Sequence, residues 1–93
     1  MSLQPDTLLE LSPLLRMQWE EAQQRYVILY PEGMIELNET AAAILELCDG
    51  QHNLTSIVDK LERKYDASGI EPDVREMLES ALNNGWIREI IAH

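Results

Sequence analysis

Cys48 and His52 are the residues whose types and spacing come closest to nucleophilic chemistry, in which a nearby base activates a thiol. Gly50 lies between them and is predicted to end a helix, so a shared face cannot be assumed. We favour a packing role for Cys48, because a free cysteine usually behaves as a small buried hydrophobe. The chain therefore offers no catalytic pair, and we predict that it is not an enzyme.

A metal or cofactor site is not predicted either. The chain has two histidines and one cysteine, and His93 occupies the last position. A zinc site normally takes four ligands at short paired spacings, which these residues do not provide. The four glycines are scattered, so no glycine-rich loop is available to hold a phosphate.

The charge balance argues against nucleic acid as a partner. Seventeen acidic residues against seven basic ones give a formal net charge of -10, whereas a surface that attracts phosphate must be positive. The basic stripe Lys60, Arg63 and Lys64 has the acidic neighbours Asp59 and Glu62. Such a stripe is more often a solvated helix face than a site for an acidic peptide.

Length and composition indicate one globular domain. The 93 residues are 45% hydrophobic and 26% charged, close to the average for globular proteins. No apolar run approaches the roughly 18 residues needed to span a bilayer, and no signal-peptide pattern is present, so we expect a cytoplasmic protein without membrane contacts. Residues 1–13 are predicted to be a lead-in segment of uncertain order, and residues 14–93 a single domain.

Three strands are predicted in the first half of the chain. Alternating apolar residues from Leu15 indicate a half-buried strand, and "YVILY" (26–30) is typical of a strand buried on both faces. Pro31 presets φ and Gly33 accepts a positive φ, so a turn there returns the chain. The segment "MIEL" (34–37) then forms a third strand on the open edge of an antiparallel meander.

Three helices are predicted in the second half. Asn38 and Asn53 stand at N-cap positions before helix-favouring runs. Pro72 suits the first turn of the third helix, which Asn84 and Gly85 end. A short apolar segment then either pairs with the sheet or covers the core. Its residues are Trp86, Ile87, Ile90 and Ile91. The predicted fold class is α+β, a three-stranded antiparallel β-meander followed by three α-helices.

Two features of the predicted sheet indicate binding rather than catalysis. The second strand offers apolar side chains to both faces, Val27 and Leu29 to one and Tyr26, Ile28 and Tyr30 to the other, and the helices can cover only one face of so small a sheet. The remaining face is covered by the chain termini, by a second copy in a homodimer or by a partner, and the sequence leaves these alternatives open. The open edge at residues 34–37 leaves a groove beside a helix, where an extended peptide can add as a fourth strand.

The stretch "LYPEGMIELNETAAAILELCDG" (29–50) resembles the PqqD family of pyrroloquinoline quinone (PQQ) biosynthesis, chiefly in "LYPEG", "ELN" followed by "TAA", and "LCDG". The similarity extends over roughly residues 12–87. It implies a winged-helix-like fold, as in the recognition elements of ribosomally made, modified peptides (RiPPs). It also implies a non-enzymatic peptide chaperone that holds the precursor peptide PqqA and presents it to PqqE, a radical S-adenosylmethionine (SAM) enzyme.

The resemblance also implies a peptide-binding site, because in such elements the peptide lies along the third strand and against the third helix. The implied strand residues are Met34, Ile35, Glu36 and Leu37. The implied helix residues are among Arg75, Leu78, Glu79 and Leu82. Periodicity does not decide which of the helix residues point outward. The alternative function is a winged-helix DNA-binding regulator, which the net charge of -10 opposes.

Overall fold

The computed structural model describes residues 3–90, which form two three-stranded antiparallel sheets and three helices. The elements are β1 (Leu8–Leu11), β2 (Arg16–Glu20), β3 (Arg25–Tyr30), β4 (Gly33–Glu36), α1 (Glu39–Glu46), β5 (Asp49–His52), α2 (Leu54–Tyr65), α3 (Glu71–Asn83) and β6 (Ile87–Ile90). This architecture confirms the predicted α+β class, with a meander followed by three helices. No helix among the described residues is long and apolar enough to cross a membrane.

The meander has the predicted order β2-β3-β4, so β4 lies on an open edge. Ile28 is opposite Met17 on one side and Ile35 on the other, which places these apolar side chains on the inner face. The role predicted for Gly33 is corrected, because its φ is not positive. A Cβ atom at Gly33 would lie 3.3 Å from the Tyr30 hydroxyl oxygen, so close approach of this ring accounts for the glycine.

A second sheet, β5-β1-β6, was not predicted. Its central strand β1 comes from the segment 1–13 that the sequence left without assigned structure, and Leu9 in β1 is fully buried. The C-terminal segment pairs with β1 of this second sheet rather than with the meander, with Leu8 opposite Ile90, and its Ile87 is also buried in the core. Ile91 and His93 lie outside the described residues. The body formed by residues 3–90 therefore includes β1 as an integral strand.

The predicted N-caps begin the first two helices. Asn38 Oδ1 accepts a hydrogen bond from the Ala41 N–H at 2.7 Å. Asn53 Oδ1 accepts from the Ser56 N–H at 2.8 Å, and Ser56 Oγ accepts from the Asn53 N–H at 2.9 Å, which completes a capping box. The first helix ends at Glu46, earlier than predicted, because the chain from Asp49 onward pairs with β1.

The core lies between the inner face of the meander, the three helices and the second sheet. The largest fully buried side chains are Leu9, Val27, Ile28, Ile44, Leu45, Leu54, Ile57 and Leu78. No charged or polar residue is buried among the described residues. Packing of apolar side chains thus holds the second sheet and the helices against the meander, since their burial is the dominant favourable term in folding.

Val27 is the buried exception, because it faces away from this core. It lies between Gln18 and Glu36 on the neighbouring strands. Arg25, on the same face, forms an ion pair with Glu36 at 3.4 Å. These longer side chains shield Val27 from within the sheet itself, a source of cover that is none of the three expected alternatives.

Candidate functional site

The open edge of β4 presents backbone hydrogen-bonding groups. The Leu37 N–H donates to the Tyr26 carbonyl at 2.9 Å. In an antiparallel ladder, bonded and non-bonded pairs alternate, so Ile35 bonds to Ile28 while Met34 and Glu36 turn their N–H and C=O groups outward. Two donors and two acceptors therefore point toward the position that a further strand would occupy.

Two cavities, which together we call the groove, lie beside α3, one near its start and one beyond its end. The helix cavity, about 490 Å³, lies between the start of α1 and the first half of α3, and its walls include Asn38, Ala41, Ile44, Asp73, Val74 and Met77. The turn cavity, about 500 Å³, lies beside the β3–β4 turn, and its walls include Tyr30, Glu32, Ile35, Asn84, Gly85 and Trp86. Ile35 of β4 thus lies in the turn cavity, and Asn38, two residues after β4, lies in the helix cavity.

The positions of the α3 residues around the helix axis show which side chains face this groove. Val74, Leu78 and Ala81 are buried and point into the core. Met77, on one flank of this buried stripe, lines the helix cavity, and Asn84 continues the same flank into the turn cavity. Met77 and Asn84 are not among the residues that the resemblance implied, because the apolar period of α3 does not separate core side chains from those on its flanks.

The four implied strand residues occupy alternating positions. Met34 is 43% exposed on the outer face, and Glu36 is exposed beside Arg25. Ile35 lines the turn cavity, whereas Leu37 is buried in the core and forms part of the wall of a neighbouring cleft. The structure therefore brings Ile35 to the groove and leaves the side chains of Met34 and Glu36 on the opposite face.

The helix residues implied by the resemblance, which are Arg75, Leu78, Glu79 and Leu82, do not line the helix cavity or the turn cavity. Leu78 has 0% exposure and belongs to the core. The Arg75 Nη1 donates to the Leu3 carbonyl at 3.0 Å, and the Leu3 N–H donates to Glu79 Oε2 at 3.2 Å. Leu82 follows on the same flank of the helix. Residues near the start of the chain thus occupy the flank that the resemblance assigned to the peptide.

Arg75 is further fixed by Glu71, one turn earlier on α3. The guanidinium forms two hydrogen bonds with the Glu71 carboxylate, at 3.3 and 3.1 Å. This hydrogen bonding, together with the negative charges of Glu71 and Glu79, raises the pKa of Arg75. The Arg75 guanidinium therefore has a structural role, because it donates hydrogen bonds to the Glu71 carboxylate and to the Leu3 carbonyl.

An aromatic cleft of about 350 Å³ adjoins the helix cavity and was not predicted. Trp19 and Tyr26 meet edge to face, with ring centroids 5.2 Å apart, and Tyr65 forms part of the opposite wall. The negative charge of Glu46, and a hydrogen bond to it, raise the pKa of Tyr26. Because Tyr65 also lines the helix cavity, the cleft extends the groove past the start of α1.

A family model described as coenzyme PQQ synthesis protein D (PqqD) matches residues 25–87, more than half of the chain. The chain belongs to the PqqD family. The "PqqA binding protein" of Methylococcus capsulatus (strain Bath) is 99% identical over 93 residues, covering all of both chains. That of Kluyvera intermedia is 54% identical over 74 residues, which are 78% of this chain and 80% of its own.

Two solved structures share the fold of this chain, and one of them is a PqqD structure. The PqqD truncation of Methylobacterium extorquens PqqCD, a functional stand-alone RiPP recognition element, superposes with a TM-score of 0.77 at 27% identity, covering 94% of this chain and 95% of that one. The heterocyclase TruD superposes with a TM-score of 0.69 at 21% identity, covering 90% of this chain and 12% of that one, and so shares the fold. The resemblance to the PqqD family is thereby confirmed.

The described residues of this PqqD-family chain lack a nucleophile paired with a base. Burial raises the pKa of Cys48 to about 12, and its thiol donates to the Ile44 carbonyl at 3.7 Å. His52 Nδ1 contacts Asp49 Oδ1 at 2.9 Å. A thiol with so high a pKa stays protonated and unreactive at neutral pH. Family membership confirms the prediction that the chain is not an enzyme.

Proposed function

We propose that this protein is a peptide chaperone of PQQ biosynthesis that binds the precursor PqqA by strand addition to β4 and presents it to the radical SAM enzyme PqqE. Relatives in the PqqD family carry the name PqqA binding protein. The observation that carries the proposal is the outward direction of the N–H and C=O groups of Met34 and Glu36 on an open edge. Such an edge pairs with an extended peptide.

The groove matches one short peptide strand in length. From Gly33 to Asn38 the chain extends about 17 Å at the usual rise of a strand. From Asp73 to Asn84 the helix extends about 16 Å at 1.5 Å per residue. A peptide paired with β4 directs alternate side chains into the space between strand and helix, where the two cavities lie. Ile35, Met77 and Asn84 then contact those side chains.

Backbone pairing alone does not supply useful affinity. Four hydrogen bonds contribute about 4 kcal/mol at roughly 1 kcal/mol each, whereas ordering a free peptide costs about 2–5 kcal/mol. The net affinity must therefore come from side chains that enter the cavities, at about 2 kcal/mol for each buried apolar group. The edge selects an extended conformation, and the cavities select the sequence.

Amide hydrogen exchange on the labelled protein with synthetic PqqA tests this binding mode. Peptide should slow exchange at Met34 and Glu36, whose N–H groups face the open edge. Exchange at Ile35 and Leu37 should be slow already, because these N–H groups bond to β3. Saturable binding with unchanged exchange at Met34 and Glu36 would contradict strand addition. Unchanged amides of β6 serve as the control.

Presentation to PqqE rests on the family resemblance and is tested separately. We expect PqqE to modify PqqA faster when the chaperone is present, and mass spectrometry of the peptide follows the reaction. The comparison takes place under reducing conditions that match the cytoplasm, where we place the protein. Equal rates with and without the chaperone would contradict the presenting role and leave the peptide-binding proposal intact.

A homodimer, which the sequence allowed, has less physical support than the peptide complex. Its premise was an uncovered apolar face, but Val27 on that face is shielded by Gln18, Arg25 and Glu36 of its own sheet. Met34 remains partly exposed there. Light scattering across a wide concentration range tests the homodimer, and a monomer mass throughout would remove it.

A further inference from the structure

The charged side chains that line the two groove cavities are all acidic. Glu39 and Asp73 line the helix cavity, and Glu32 lines the turn cavity. All three are exposed, and none belongs to an ion pair within residues 3–90. The groove thus carries negative charge at both ends, without a neutralising lysine or arginine in the cavity walls.

The basic side chains are directed to other parts of the protein. Four arginines have carboxylate partners within the chain, in the pairs Arg25–Glu36, Arg63–Asp59, Arg75–Glu71 and Arg88–Glu10. Lys60 and Lys64 line a cleft between α1 and α2, and Lys64 also lines the aromatic cleft together with Arg25, but neither residue lines the helix cavity or the turn cavity. Arg16 lies on β2, opposite Leu29. The groove is therefore acidic because of where charges are placed, and not only because the chain is acidic overall.

Helix dipoles account for part of this pattern. Glu39 and Asp73 stand in the first turns of α1 and α3, where a carboxylate complements the partial positive charge of the helix end. That partial charge is about half an elementary charge, so each carboxylate retains a net negative effect on the cavity. Glu32 lies in a turn and complements no helix. A ligand with cationic groups can pair with all three.

We propose that the groove selects peptides in which bulky apolar residues are flanked at both ends by lysine or arginine, an inference that rests on the proposed function. The apolar side chains enter the two cavities, and the cations lie near Glu32 at one end and near Glu39 and Asp73 at the other. Glu39 follows Glu32 by seven positions, about 23 Å in an extended chain. The two cationic positions of the peptide are therefore about six or seven residues apart.

Calorimetric titration of synthetic PqqA into a triple variant tests the selectivity. The variant Glu32→Gln, Glu39→Gln, Asp73→Asn should bind PqqA about tenfold more weakly at low salt, because each exposed pair contributes about two- to fivefold. The difference should shrink in 0.5 M salt as charges are screened. A matched variant, Asp6→Asn, Glu20→Gln, Glu76→Gln, makes the same change in net charge outside the groove and should bind within twofold of the parent.

A second titration tests whether the acidic residues of the protein and the basic residues of the peptide act on each other. PqqA with its lysines and arginines replaced by glutamine should bind the parent protein as weakly as PqqA binds the triple variant, with no further loss when both changes are combined. Equal affinities of the triple and matched variants for PqqA would overturn the charge selectivity while leaving the proposed function intact. Failure of PqqA to bind the folded parent protein would overturn the proposed function itself.

Discussion

The N–H of Leu37 donates to the carbonyl of Tyr26 at 2.9 Å, and this one bond sets the alternation of the whole β4 edge. It directs the backbone of Ile35 inward to β3 and that of Met34 and Glu36 outward. The backbone N–H groups of adjacent β4 residues therefore differ in direction. One donates to β3 within the sheet, and the next points toward the open edge.

Proline substitutions at these adjacent positions should affect different properties, peptide affinity in one case and the free energy of unfolding in the other. Glu36→Pro removes an outward N–H and should fold normally while lowering affinity for PqqA at least tenfold, because proline is tolerated on an edge strand but blocks pairing. Ile35→Pro removes a ladder bond and should lower the free energy of unfolding by about 3 kcal/mol. Urea denaturation and calorimetry measure the two quantities.

Glu36→Ala is the control for the side chain, because it keeps the N–H and removes only the exposed ion pair with Arg25. Its affinity for PqqA should stay within about threefold of the parent. Normal affinity in a folded Glu36→Pro variant would rule out strand addition at β4.

The two flanks of α3 should separate peptide binding from stability. Met77→Ala removes an apolar wall of the helix cavity and should lower affinity for PqqA roughly tenfold, as expected for a lost anchor contact. Arg75→Ala and Glu79→Ala remove hydrogen bonds to the Leu3 backbone and should each lower the free energy of unfolding by about 1 kcal/mol. If Arg75→Ala weakens PqqA binding more than Met77→Ala, the peptide lies on the other flank.

The Cys48 thiol should make stability fall at high pH. Its pKa is about 12 in the folded chain against an ordinary value of 9.0, so above pH 9 the unfolded chain loses this proton while the folded chain retains it. Stability therefore decreases from about pH 9 toward pH 12, by on the order of 1 kcal/mol per pH unit. Urea denaturation at pH 8 and 10.5 measures the loss, which should be smaller in Cys48→Ala. Equal losses in the two proteins would contradict the burial effect.

Gln24, at the tip of the β2–β3 hairpin, should be replaceable with a gain in stability. Its φ of 56° lies in the left-handed region, which costs a residue with a Cβ atom about 1 kcal/mol. Gln24→Gly should raise the free energy of unfolding by about 0.5 kcal/mol, after the entropy cost of glycine, and the melting temperature by about 2–4 °C. Gln23→Gly is the control and should destabilise. A fall in the melting temperature of Gln24→Gly would contradict the strain.

Local sequence patterns determined much of the fold. The apolar run of β3, the caps Asn38 and Asn53 and the proline at the start of α3 each act over a few residues, so they specify strands and helices without knowledge of the rest of the chain. The second sheet was not predicted, because each of its strands β1, β5 and β6 is only four residues long and the three are far apart in the sequence. Short strands gain their stability from pairing, which the sequence does not display.

The sequence by itself determined that β4 follows a turn and that α3 begins beside Pro72, because these features depend on local turn chemistry and on the residues that start a helix. Only the tertiary structure decided which flank of α3 faces the strand. Met77 and Arg75 lie on opposite flanks of the same buried stripe, and Arg75 and Glu79 hold the Leu3 backbone on one of these flanks. Contacts between residues more than seventy positions apart form only when the chain folds, so the groove belongs to the folded chain rather than to any one of its segments.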